Sequence, residues 1–243
     1  MSTRESDLYR TCVLPFGVFM GWTLLLQLAG PLVAWDHPSA PWWRQAPEQI
    51  VYPFQTLTAG WFVWRVRRRA VWNWSFRGIL LGTVAGIAGI TVWLIPAFCT
   101  HYLPACILAD PELKSSGFDP AAVFTAQPAI IAAYAMRFLR AVVVVACVEE
   151  LFWRGFLMRF LIDRDQPQNV PIGAASILSW LGTTLAFMFV HQPKDYPAAF
   201  LYGSLAYLLV VRTRSIGAAV IMHAIANLML GLAAIAWGMP GLW

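Results

Sequence analysis

Apolar residues in this chain run in long continuous blocks. They do not alternate as in a strand, nor recur on one helical stripe as in a soluble helix. Blocks over residues 12–34, 50–66, 76–98, 136–162, 172–191, 198–211 and 215–237 predict seven helices. An eighth block, residues 121–134, is interrupted by Gln127 and Pro128, which leaves the count at seven or eight. A helix crossing a bilayer needs about 20 apolar residues. Backbone groups in lipid must be satisfied within their own segment, so the crossing elements are helices. The expected fold is all-α, a polytopic membrane helix bundle of seven or eight transmembrane helices forming one integral membrane domain over residues 1–243. Gly78, Gly82 and Gly86, with Gly89 beyond, offer a small-residue face for close helix packing.

The breaks between blocks carry the charge. Arg65, Arg67, Arg68, Arg69 and Arg77 surround one break, Arg159 and Arg164 a second, and Arg212 and Arg214 a third. Basic loops stay in the cytoplasm. The loop over residues 99–120, with Asp110, Glu112 and Asp119, then faces outside, and the N-terminus inside. Those assignments agree if residues 121–134 do not cross, which favours seven. Arg4 and Arg10 precede the first block as in a signal peptide. That block is too long for a signal h-region and reads as an uncleaved helix. The loop after it holds Asp36, His37, Pro38, Pro41, Trp42 and Trp43, with tryptophans suited to the headgroup layer. The expected location is the bacterial inner membrane.

Composition agrees. The chain is 59% hydrophobic and 12% charged, with mean hydropathy +0.62; soluble domains carry about twice that charged fraction. The net charge of +5 would suggest nucleic acid in a soluble protein. Here the arginines flank apolar blocks and report topology, so no nucleic-acid partner is expected. Of the four cysteines, none forms a CxxC pair; Cys99 and Cys106 share a loop, as a disulfide or as two free thiols.

All but two of the twelve acidic residues fall in loops, tails or helix ends; the exceptions, Glu149 and Glu150, follow the apolar run 141–148. Of the four histidines, His37 and His101 lie in loops, whereas His191 and His223 lie on or at the end of apolar blocks. An ionisable group inside the bilayer costs several kcal/mol unless paired, and by default it marks function. Glu150 and Arg154 are four apart and share a helix face, as do His223 and Asn227. Glu149 is rotated by about 100° from Glu150. No Ser, Thr or Cys sits beside a histidine at a spacing that suggests a nucleophile, so water is the expected one. A carboxylate in a low-dielectric pocket is a stronger base, which selects Glu149, acting with His191. His223 and Asn227 are candidate oxyanion donors, and Arg154 is expected to hold Glu150 ionised. One difficulty follows from the block lengths: a helix over 172–191 puts His191 near the far side of the membrane, away from Glu149 and His223.

Glu149-Glu150-x-x-x-Arg154, then Phe187-x-x-x-His191, then His223-x-x-x-Asn227 resemble the three motifs of the CAAX-protease and bacteriocin-processing (Abi) family, the type II CAAX prenyl endopeptidases. The resemblance covers residues 135–232, the motif-bearing catalytic core, and is similar too to shorter relatives found beside bacterial exosortase systems. It implies an intramembrane endopeptidase that cleaves a membrane-associated substrate: a CAAX-like C-terminus, a leader or an anchor peptide. Glu149, Glu150, Arg154, His191, His223 and Asn227 are the implied site. Glu149, His191 and His223 are also a ligand set that catalytic zinc uses, with Glu150 then the base; HExxH spacing is absent, and a metal-free site needs only the glutamate and two donors. The alternative is a non-catalytic membrane protein that binds a peptide, a bacteriocin-immunity or sorting factor. A proton-coupled transporter is a third reading, without the paired halves such folds show.

Overall fold

The computed structural model describes residues 3–35, 37 and 39–242. Asp36 and Pro38 of the first loop lie outside the described residues, as does the side chain of Arg4. Among the described residues the chain is helical throughout, with no strands. The main elements are α1 (Ser6–Val33), α2 (Glu48–Val66), α3 (Phe76–Trp93), α4 (Ile95–Tyr102), α5 (Gln127–Phe160), α6 (Ile177–Phe189), α7 (Tyr196–Thr213) and α8 (Ile216–Trp237). Four of these, α1, α3, α5 and α8, are long and apolar enough to cross a membrane. Large apolar side chains on their outer faces, such as Leu28, Leu32, Leu80 and Val84, are exposed. In an integral membrane protein they meet lipid.

Three boundaries differ from the sequence expectation. The third block breaks at Leu94: α3 ends at Trp93, and Pro96 sits in the first turn of α4, where a missing N–H costs nothing. Residues 121–134 do not form one helix: Pro120–Val123 is a single helical turn. Pro128 opens a helix at Gln127 that continues into the fourth block, giving the 34 residues of α5, about 51 Å of helix. The third difference is in the fifth block, which gives α6. It starts at Ile177, where the Ser176 hydroxyl accepts from the Ser179 N–H, and ends at Phe189, so it is 13 residues long, about 20 Å. The Gly and Pro residues of 171–175 hold that stretch as a turn.

The glycine face packs α3 on α8. A methyl on Gly82 would run into Ala218 O, and one on Gly86 would lie 2.6 Å from Met222 O. That close approach sets the residue next to Met222, His223, beside the outer half of α3.

The bundle has two distinct ends. At one, Asn73 Nδ2 donates to Arg214 O, Gly217 N to Trp72 O, and Arg159 to Val170 O and Gln168 O. This end gathers the arginine-bearing turns. At the other, Leu113 packs with Ala97 and Met239, Lys194 pairs with Asp110 at 3.0 Å, and Gly117 abuts Pro240. This end is built from longer loops. The Cys99 and Cys106 thiols lie here, both free.

Candidate active site

Glu150 and Arg154 face the centre of the bundle from α5, both fully buried, with Arg154 Nη1 donating to Glu150 Oε1 at 3.1 Å. Their spacing survives although α5 widens to π geometry over Leu139–Val145 and Trp153–Leu157, on either side of the glutamates. Such turns insert a residue and re-aim the side chains between them. Arg154 also donates to Gly203 O of α7 at 3.4 Å and lies over the Phe187 ring. The same Glu150 oxygen lies 2.9 Å from His223 Nδ1 on α8. The Glu150 carboxylate thus joins α5 to α8, and Arg154 adds α7.

The hydrogen-bond partners fix the histidine tautomers. A carboxylate and a carbonyl can only accept, so His223 Nδ1–H donates to Glu150, and His191 Nδ1–H donates to Phe187 O at 2.8 Å. In each neutral ring Nε2 is left with a lone pair. His223, His191 and Asn227 line one cavity of about 190 Å³ with Trp93, Phe187 and Tyr202. The short α6 explains how His191 gets there. Its helix stops short of a full crossing, and the imidazole packs edge-on against Trp93. Asn227 Nδ2 donates to Ala141 O of α5 at 2.7 Å, which leaves its second N–H.

Glu149 is placed differently. Its carboxylate accepts from Trp153 Nε1 at 3.1 Å, one turn along α5. Among the described residues, no hydrogen bond joins it to His191 or His223. Glu149 is thus held by Trp153 rather than by either histidine of the expected zinc set. Among the described residues, no three His, Cys, Asp or Glu side chains gather to hold a metal ion. The two histidines have the Nδ1–H bonding that metal ligands also use; the third ligand is turned away to Trp153.

Residues 131–229 match the family model of the Rce1-like type II CAAX prenyl endopeptidases. This stretch takes in every motif residue, from Glu149 to Asn227. The similarity is to a family of proteases and supports a hydrolase acting in the membrane. No curated protein and no solved structure matches the chain.

Two residues of the site escaped the sequence reading. Tyr202 lines the cavity with its hydroxyl buried and without a hydrogen-bond partner. Glu150 Oε2 and Arg154 Nε are in the same condition. A phenol within the apolar block 198–211 was the available signal. Asp195 lies four residues past His191 at the cavity rim. Burial holds its carboxyl above the usual carboxylate range, opposed by Lys194 and His191.

Proposed function

We propose that this protein is an intramembrane endopeptidase that hydrolyses a peptide bond of a membrane-associated protein substrate with an activated water. The observation that carries the reading is the His223–Glu150 bond at the floor of a cavity that also holds His191 and Asn227. A carboxylate that holds Nδ1–H orients the imidazole and stabilises the imidazolium that forms when Nε2 takes a proton. His223 is thus the base with the best geometric support. Glu149, beside Glu150 in the chain, adds its charge to the same stabilisation, and His191 offers a second basic Nε2 for the departing proton. The second Asn227 N–H and the Tyr202 hydroxyl supply donors for the oxyanion.

The same reading takes the chain as seven crossings with the N-terminus in the cytoplasm. Helices α1, α2, α3, α5, α6, α7 and α8 alternate between the two ends of the bundle, with α6 the shortest.

The test compares the termini of membrane proteins, by mass spectrometry, in cells with the wild-type chain and with His223→Ala or Glu149→Gln. Termini lost in His223→Ala at normal expression support the protease. An unchanged set of termini, with partner proteins still co-purifying, would make the chain a peptide binder.

A further inference from the structure

We propose that the cavity takes its substrate from the non-cytoplasmic side, so that the scissile segment belongs to the external juxtamembrane stretch of a membrane-anchored protein. The inference rests on the endopeptidase reading and on three independent observations.

The first is charge. Arg65, Arg67, Arg68, Arg69 and Arg77 lie at the same end as Arg159, Arg164, Arg212 and Arg214, since the turns that carry them are joined by the hydrogen bonds of Asn73, Trp72 and Arg159. Arg69 further reaches Asp7 of α1 at 3.7 Å. At the opposite end the basic side chains among the described residues are Arg44, Lys114, Arg137 and Lys194, set among Glu48, Asp110, Glu112, Asp119 and Asp195. An excess of arginine on one side only places that side in the cytoplasm.

The second is where the cavity leads. Trp93, Asp195 and Leu242 line both the site cavity and an adjoining one of about 510 Å³. The larger space is walled by Asp110, Gln192 and Lys194 of the loops at the arginine-poor end. Asn227 and Leu230 continue the lining along α8 toward that end.

The third is what closes the other way. Between the Glu150–His223 pair and the arginine-rich end, Met158, Val210, Ala219 and Tyr207 form a buried apolar cluster. Arg154, one turn beyond Glu150, is also fully buried. Buried side chains therefore pack between His223 and the arginine-rich end, whereas the outer loops leave a polar vestibule.

Single variants Gln192→Cys and Asp165→Cys test the direction of opening. Both positions are exposed, one at the vestibule and the other in the arginine-end turn. Spheroplasts are treated with a membrane-impermeant maleimide, and labelling above that of the unsubstituted chain is read, because Cys106 lies at the vestibule end. Gln192→Cys is expected to label in intact spheroplasts and Asp165→Cys only after permeabilisation. Labelling of Gln192→Cys only after permeabilisation overturns the proposal. In a second arm, the cut sites that disappear in His223→Ala cells are mapped on their proteins. Sites in external segments support the inference, and sites in cytoplasmic segments overturn it. If no cut site disappears, the protease reading fails, while the labelling still decides which way the cavity opens.

Discussion

Two buried polar networks cross this bundle, and they are built on opposite logic. In the motif-bearing half, Arg154 and Glu150 are an ion pair, and His223 completes the ring of contacts. In the N-terminal half, Arg140 of α5 is met by no carboxylate. Its Nε donates to Gln55 Oε1 at 3.0 Å, and its guanidinium stacks on Tyr52 at 3.9 Å. Gln55 in turn donates to Phe19 O and Thr23 Oγ1 of α1. The surroundings match. The apolar window of α8 is 44% buried within the protein, against 17% for that of α1. An arginine held between helices of the less buried half manages with an amide and aromatic faces; one sealed in the core needs a full counter-charge. The difference teaches that the first network is a site and the second is a joint between helices.

The sharpest way to break that contrast is Arg154→Ala. Removing one partner of a buried pair costs about 3–5 kcal/mol, since the other charge is stranded. Thermal unfolding and yield should both fall, with activity. An unchanged melting temperature would mean the pair is not sealed. Asn227→Ala comes next: loss of an oxyanion donor costs about 100- to 1000-fold in turnover, with substrate binding retained. Near-normal turnover would reduce Asn227 to its bond with Ala141.

Gln55→Ala probes the joint. It leaves the Arg140 Nε without its acceptor, a cost of about 1–3 kcal/mol. Stability should drop while turnover per folded molecule stays at the wild-type level; a matching loss of turnover would show that the two networks are one. Tyr202→Phe removes only a hydroxyl that has no protein partner. Folding should be unaffected, and turnover should fall by about 10-fold if the phenol donates to the oxyanion, a difference of about 1.4 kcal/mol. The smallest expected effect is that of a strong chelator, which should leave cleavage intact. Loss of activity restored by zinc would mean that Glu149 swings from Trp153 to join the histidines.

The site was more legible than the walls that hold it. Glu149, Glu150, Arg154 and the two helical histidines stood out because charge in an apolar block is costly, and that cost is visible in one dimension. The Glu150–Arg154 contact also followed from helical spacing. The Glu150–His223 bond did not, because it joins residues 73 apart and depends on how α5 and α8 cross. Nor could the sequence fix where Glu149 is held: its carboxylate accepts from Trp153 in a stretch flanked by π turns. Helix ends were misjudged where hydropathy was the only guide. Residues 172–176 are apolar enough to extend α6, yet Gly173 adopts φ +82°, and the left-handed turn excludes them from the helix. Arg140 went unremarked within its block, although it too is a charge among apolar residues.

The length of α5 has a consequence for where this protein can work. A 34-residue helix is about 51 Å long, against a hydrocarbon layer of about 30 Å. Helices tilt by up to about 40°, which is not enough to hide the difference. The outer turns of α5 therefore stand above the acyl chains, among headgroups, where Tyr134 is tied to Asp119 of the preceding turn. Because the glutamates sit near the inner end of the same rod, a thicker bilayer would draw its outer turns into hydrocarbon and press on the whole shaft. Hydrophobic mismatch at those outer turns therefore falls on the same helix that carries Glu149 and Glu150.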